Sequence, residues 1–522
     1  MLTRTYSASM LGVDALLVTV EASVGLGLPG LTLVGRATGA LCEARERVKS
    51  ALSHCGHSIP PRKQIVNLAP ADERKESPGI DLAVAAALLG AHGVIPSERL
   101  DKQVLFWGEL GLDGIVRPAV GTLVIAECAR REGFSAIAVA EESAAEASLL
   151  PGIEVWPVRD LAHLVAHLRG EVVIDNQPPA SAEQLAQSGI LGPDMEDVRG
   201  MVLARRAIEA MVAGGHNLLL HGPPGVGKTM LARRAAALFP ELDREEAIEV
   251  TKIHGVVGTR RVRRGQGAEL RSRPPFRAPH HTVTPAGLLG GGSPLRPGEV
   301  SLAHRGLLFL DELPEFGRAC LEGLREPLEE GQVNLVRAQA QLQMPARFQL
   351  MAAMNPCPCG YLGHPERNCV DSPAAVLRYQ QRLSGPLLDR LDLVVPVSPA
   401  SPEELARRRA SESSSVIRAR IVRARERQRQ RLAGTGLRTN AEIPADGGLL
   451  ERFLPLHAEA ERMLRSLARK RCLSPRAQHR LRRVAATLMD LGAEDRPVQG
   501  KISAAAVAEA AHLRRLPDYG AG

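Results

Sequence analysis

Aromatic residues are scarce in this chain: Trp, Tyr and Phe make up 3% of its 522 residues. That argues against a module that stacks single-stranded bases on exposed rings. Lysine is scarce too, supplying eight of the 66 basic side chains, so 58 are arginine. Eight cysteines are too few for a disulfide scaffold of this length. Three of them crowd into positions 357–369, which points to a reducing, cytoplasmic setting. No apolar run reaches the ~18 residues of a membrane span, and residues 1–10 lack the basic-then-apolar pattern of a signal peptide. No membrane role is expected. What is present is 44% hydrophobic residues and a net charge of +8. Those values exclude a disordered or collagen-like chain, and the length suits two to four domains of roughly 150 residues each. The arginine excess fits contact with phosphate or nucleic acid, because guanidinium stays charged and forks onto phosphate oxygens. An arginine-rich codon usage would give the same ratio, so position must decide.

Composition divides the chain into an α/β unit over 1–170, a polar linker over 171–190, a second α/β unit over 191–399 and a helical, arginine-loaded region over 400–516. In the first unit, apolar runs at 15–20, 64–68 and 136–140 alternate with Ala-rich helical stretches. The linker carries the pair Pro178 and Pro179, and residues 517–522 read as a frayed tail.

The strongest chemical signal is Gly222, Pro223, Pro224, Gly225, Val226, Gly227, Lys228 and Thr229. It follows an apolar run at 218–220 and precedes a helical stretch at 230–238, the strand-before, helix-after context that a phosphate-binding GxxxxGK[ST] loop requires. Backbone N–H groups there wrap phosphates at a helix N-terminus, Lys228 reaches the β- and γ-phosphates, and Thr229 ligates Mg²⁺. A second apolar strand, 307–310, ends in Asp311 and Glu312. Alone, such a pair is often a strand end meeting solvent. About 80 residues after a phosphate loop, Asp311 is placed to hold Mg²⁺ and Glu312 to polarise an attacking water. A third strand ends at Asn355, which either orients that water or simply makes the turn before Pro356. ATP and Mg²⁺ are the implied cofactors.

In this order, the phosphate loop, LLFLDELPEF (307–316), AAMNPCPCG (352–360) and SGPLLDRLDL (384–393) resemble AAA+ ATPases of the magnesium-chelatase-like branch. RPPFRAPHHT (273–282), GGGSPLRPGEVSLAHRGLLFLDE (290–312), VNLAPAD (66–72) and LSPRAQHRLRRVAATLMDL (473–491) resemble the bacterial ComM/YifB family, across nearly the whole chain. The resemblance implies a homo-hexameric, ATP-driven branch-migration helicase that promotes DNA integration in natural transformation. Its partners would be branched or single-stranded DNA, without sequence specificity, and recombination proteins. Arg390 falls at the arginine-finger position, serving a neighbour's γ-phosphate, and Arg476 at the lid-sensor position, serving its own nucleotide. An ion pair of Arg390 with Asp389 or Asp392 is the plainer alternative. The alternating stretch 331–344 resembles a pore hairpin, with Arg337 at the position of a basic, DNA-gripping residue. The Gly- and Pro-rich 290–299 resembles a second inserted hairpin.

In residues 1–170, VNLAPAD (66–72), KESPGIDL (75–82) and GELGLDGIVRP (108–118) resemble the Lon-protease type domain, of ribosomal-S5-domain-2-like α/β fold. The nucleophile and lysine positions fall on Gly79 and Val124, so no protease activity is expected, and the domain would support assembly or bind DNA. Cys357, Cys359 and Cys369, completed by Asp371 or His364, stand where family members often have four cysteines. A structural Zn²⁺ clip or three reduced thiols both fit. Arginine clusters at 415–432 and 462–483 face either DNA or solvent, with part of the latter facing nucleotide if Arg476 is the lid sensor; seven more arginines between 260 and 277 surround Glu269, and His280 and His281 are suited to phosphate or carboxylate. The alternative function is a magnesium-chelatase-type ATPase subunit that remodels a protein partner.

Overall fold

The apolar runs of the first unit become strands of one mixed sheet in the computed structural model. The described residues are 2–515 apart from 36–38, 58–59, 61, 71–76, 101–102, 180–191, 258–269, 293–294, 338–339, 365, 400–411, 446 and 493–499. Most of the expected linker, the basic run beginning at Arg260 and the tail 517–522 therefore lie outside them. The first sheet has seven strands, in the order Gly30–Val34, Lys63–Ala69, Asp14–Gly25, Leu2–Leu11, Val104–Trp107, Ala136–Ala140 and Glu154–Val158. Leu2–Leu11 pairs antiparallel with Asp14–Gly25 and parallel with Val104–Trp107. The helix Asp81–Ala91 is buried at every residue and packs on the two long strands, so it reads as a continuous Ala/Leu run rather than an amphipathic one. Gly79 leaves no room for a nucleophile: a Cβ there would lie 2.7 Å from ring atoms of Trp107. Val124 is buried in the helix Thr122–Arg131.

The second sheet is five-stranded and wholly parallel, in the order Phe276–Arg277, Leu307–Leu310, Gln349–Met354, Leu218–His221 and Leu393–Pro396. Both faces are covered, which is why its strands are unbroken apolar runs. The two-residue alternation of a strand divides them between two cores. Leu218, Leu220, Phe309, Met351 and Val395 pack on one side with the helices Val202–Gly214, Ser414–Arg431 and Pro475–Leu491. Leu219, Leu308, Leu310, Leu350 and Val394 pack on the other with Phe316, Tyr379 and Leu387. The change of composition near residue 400 thus marks no gap between cores, because the C-terminal helices complete the first of these two. Arg514 even extends the sheet edge by bridging to Val394. No helix among the described residues is long and apolar enough to cross a membrane.

Two hairpins project from this unit. Gln332–Arg337 pairs antiparallel with Ala340–Pro345 over six residue pairs, and Gly290–Gly291 with Arg296–Pro297 over two. The longer one touches the N-terminal sheet, since a Cβ on Gly12 would meet Leu342. Arg337 pairs with Ala340 through its backbone; its side chain is outside the described residues.

Candidate active site

Register brings the chemistry together. Leu310 pairs with Ala352 and His221 with Met354, so the parallel strands end level and release Asp311, Asn355 and Gly222 at one sheet edge. Open parallel sheets bind ligands outside this carboxyl edge, where chain order reverses. The phosphate loop passes close beneath its neighbour: a Cβ on Gly222 would lie 2.1 Å from the Val397 carbonyl oxygen. Gly225 and Gly227 have φ of +78° and +91°, a region in which L side chains are strained, and Lys228 then opens the helix Lys228–Ala236. Pro223, Pro224 and Val226 fill the loop between these glycines, and Val226 is buried. The loop therefore has the close backbone approach and the helix N-terminus that a polyphosphate needs.

Lys228 Nζ donates to the carbonyls of Gly222 (2.6 Å) and Pro223 (2.8 Å) and to Asn355 Oδ1 (3.0 Å). Burial disfavours its charged form and pulls its pKa down to about 8, against the attraction of Asp311 and Glu312. Below that pH the ammonium is already charged. Above it, binding a polyphosphate must take up a proton, and affinity should fall by up to about tenfold per pH unit. Calorimetry at pH 9 in buffers of different ionisation enthalpy would show proton uptake on ATP binding; buffer-independent heats would contradict this.

Thr229 Oγ1 donates to Asp311 Oδ2 at 2.5 Å, which brings the two expected Mg²⁺ ligands to one point. Asp311 also accepts from the Glu312 backbone N–H at 3.0 Å. Glu312 itself has φ +52°, uncommon for a side chain of its size, and this turns its carboxylate to His281 Nδ1 at 3.2 Å. The Ala-Pro-His-His stretch therefore meets a carboxylate, and that carboxylate is the one expected to polarise water. His280 stacks on His281 with centroids 4.1 Å apart. Asn355 is held from behind by Tyr379, whose hydroxyl takes its backbone N–H and whose pKa is pushed up to about 12 by burial.

Two expected site residues are elsewhere. Arg390 pairs with Glu329 at 2.6 Å and donates to the carbonyls of Pro386 (2.7 Å) and Arg325 (3.1 Å). Arg476 lies 4.0 Å from the same Glu329. Both line a cleft with Asn217, Gly306 and Gln349, residues at the N-terminal ends of the sheet strands, so they sit at the edge opposite the phosphate loop. Arg476 is therefore not beside its own chain's phosphate loop, where a lid-sensor role would put it: it lies in the first turn of the helix Pro475–Leu491, which packs on the helices Val202–Gly214, Ser414–Arg431 and Ala504–His512. The Arg390 partner is Glu329; Asp389 and Asp392 are not its partners. Asp392 is engaged by Asn217, His216 and Arg480. Arg476 is 69% exposed and Arg390 only 9%, which decides how readily each reaches another molecule.

Most of the basic run 415–432 turns inward, with Arg423 and Arg429 exposed. Arg420 pairs with Glu209 and Glu412, Arg431 with Asp490, and Arg425 donates to the Val212 carbonyl. Over 462–483 the arrangement is mixed: Arg480 and Arg482 are held internally, while Arg462, Arg465, Arg469 and Lys470 are exposed. Close to Asn355, the sulfurs of Cys357, Cys359 and Cys369 form a triangle with sides of 3.4, 3.6 and 3.5 Å, and Asp371 joins it. His364 does not: its Nδ1 accepts from the backbone of Glu366 and Arg367.

Sequence profiles match in three segments. "Magnesium chelatase, subunit ChlI" covers residues 194–405, "Subunit ChlI of Mg-chelatase" 20–143 and "Magnesium chelatase, subunit ChlI C-terminal" 411–514. YifB of Escherichia coli (strain K12) is 41% identical over 95% of this chain and 94% of its own length. The competence protein ComM of Haemophilus influenzae is 38% identical over 96% of each chain. The chain belongs to the ComM/YifB family. It is a ComM-family chain with a magnesium-chelatase-like AAA+ domain, a family whose members use ATP and Mg²⁺. An uncharacterized protein of Mycobacterium tuberculosis (strain H37Rv) is 42% identical over 96% of this chain and 97% of its own length. Two polar groups at the carboxyl edge carry no clear sequence signal: His221, the last residue of the strand before the loop, and Tyr379, only a helical Tyr 24 residues beyond Asn355.

Proposed function

We propose that this ComM-family ATPase is a cytoplasmic homo-hexameric motor that hydrolyses ATP to move on DNA. In this reading it drives branch migration while incoming DNA is integrated during transformation or recombination, alongside recombination proteins. One observation carries the assembly: the phosphate loop lies at one sheet edge, and the two candidate transition-state arginines share Glu329 at the other. A neighbouring subunit can supply what a chain cannot supply to itself. The printed name of the Haemophilus relative, a competence protein, supports the DNA substrate.

In each site, Lys228 and the backbone N–H groups of the loop bind the β- and γ-phosphates. Thr229 and Asp311 would hold Mg²⁺, which neutralises charge on those oxygens. Glu312 takes the proton of the attacking water, with His281 setting its direction, and Asn355 orients the water. Arg390 and Arg476 of the neighbour stabilise the charge that spreads over the γ-phosphoryl oxygens. Residues 1–170 act as an inactive Lon-like domain and the C-terminal helices as the lid. Cys357, Cys359, Cys369 and Asp371 bind Zn²⁺. Arg337, near the end of the longer hairpin, grips a DNA phosphate in the channel.

Single-stranded and forked DNA should stimulate ATP hydrolysis. Arg337→Ala should weaken binding to all DNA sequences alike and reduce the salt slope by about one. DNA that leaves turnover unchanged, together with normal DNA binding by Arg337→Ala, would favour a second reading suggested by the matching profiles: a chelatase-type subunit that remodels a protein partner.

A further inference from the structure

The cysteine cluster stands directly against the nucleotide site. Three mutually equidistant sulfurs are the face of a tetrahedron, and with Zn–S bonds of 2.3 Å its edge is about 3.8 Å, close to the observed spacing. A disulfide would join two sulfurs at ~2 Å and leave the third apart. Asp371 Oδ2 caps the triangle at 3.7 Å from Cys369 Sγ and accepts the Cys359 backbone N–H at 2.8 Å. All four ligand atoms fall within 4.8 Å of one another. Further N–H groups face the sulfurs: Leu362 donates to Cys357 Sγ at 3.3 Å, and Tyr361 and Val370 to Cys359. Such outer donors orient thiolate ligands. Three soft donors and one oxygen suit Zn²⁺ and not Mg²⁺ or Ca²⁺.

The loop that carries these ligands leaves the catalytic strand at Asn355 and returns at Gly360, which presses on the phosphate loop. Gly360 has φ +84°, and a Cβ there would lie 2.5 Å from Cδ and 3.1 Å from Cγ of Pro224. The intervening Pro356 carbonyl accepts from Gln380 Nε2 at 3.1 Å, on the helix whose Tyr379 holds Asn355. The segment from Asn355 to Gly360 therefore touches the nucleotide site at both ends, and two of its residues are metal ligands.

We propose that Zn²⁺ bound by Cys357, Cys359, Cys369 and Asp371 clamps this segment against Pro224, so that metal occupancy sets nucleotide affinity. The proposal rests on the reading of residues 222–229 as an ATP site. Metal loss frees Gly360 from Pro224 and lets the phosphate loop and Asn355 move apart.

The full chain should carry one Zn²⁺, measured by native mass spectrometry. After exchange, Co²⁺ should show the charge-transfer absorption of three thiolates, and Asp371→Cys should shift it to that of four. Cys369→Ser should lose the metal and bind a fluorescent ATP analogue roughly tenfold or more weakly. Stripping wild-type protein with a chelator should do the same, and added Zn²⁺ should restore affinity, which separates the effect from misfolding. Gly360→Ala should keep the metal and still weaken nucleotide binding. A wild-type chain that takes up neither Zn²⁺ nor Co²⁺ overturns the proposal, as does a metal-free chain with wild-type affinity. Lys228→Ala should keep its Zn²⁺ and lose nucleotide. Unchanged binding in that variant would overturn the ATP reading beneath the proposal, while the metal count would stand.

Discussion

Replacing Glu312 by Gln should leave ATP bound and cut turnover by roughly 10²–10⁴-fold, the range expected when a positioned general base is lost. The substitution keeps the shape of the side chain, so the φ of +52° and the approach of His281 are preserved. What disappears is the proton acceptor. Lys228, Thr229 and Asp311 remain to bind phosphate and metal, so affinity for ATP should change little and the proposed ring should persist with ATP in place. Single-turnover hydrolysis and retention of labelled ATP on a sizing column measure both halves. Rapid turnover by the Gln variant would remove Glu312 from its role. A companion change, His281→Ala, should lower kcat less and leave KM near wild type, because it loosens the carboxylate without removing it.

Arg390→Ala and Arg476→Ala should each lower kcat severely, by roughly 10³-fold or more for an arginine that meets the transferring phosphoryl group. Their stability costs should differ. Arg476 is mostly exposed and its nearest acid is 4.0 Å away, so its removal should fall within about 0.5 kcal/mol. Arg390 is nearly covered, and its loss strands two carbonyls and Glu329, at a cost of about 1–3 kcal/mol. Mixing decides between the two possible directions of action. Subunits with Lys228→Ala keep both arginines, and subunits with Arg476→Ala keep a working phosphate loop. If Arg476 serves a neighbour, mixed rings regain ATPase activity at interfaces that join the two kinds. If it served its own nucleotide, mixtures would remain inactive.

The local signals were legible because they are local. A phosphate loop needs glycines at fixed offsets between a strand and a helix, and a catalytic carboxylate needs a buried strand that ends beside it. Those constraints are written in consecutive residues, at 222–229 and 307–312. The two hairpins were legible for the same reason, through alternation and turn residues at 331–344 and 290–299. Aromatic scarcity and arginine abundance were less informative. Much of the positive charge over 415–432 is used inside the chain, with Arg420 on Glu209 and Arg431 on Asp490, and composition cannot distinguish an internal ion pair from a DNA contact.

By itself, then, the sequence determined the chemistry of the site and the order of its parts: Lys228, Thr229, Asp311, Glu312 and Asn355 along successive apolar strands. The tertiary structure decided who meets whom. Strand order placed Asn355 within reach of Lys228, although 127 residues separate them. It brought Asp371, and not His364, to the thiols, with His364 Nδ1 accepting within its own turn. It also put Arg390 and Arg476 together on Glu329, across the sheet from their own phosphate loop. Long-range partners depend on how strands stack and which face a helix buries, and parallel strands bring distant segments level only once the sheet has formed.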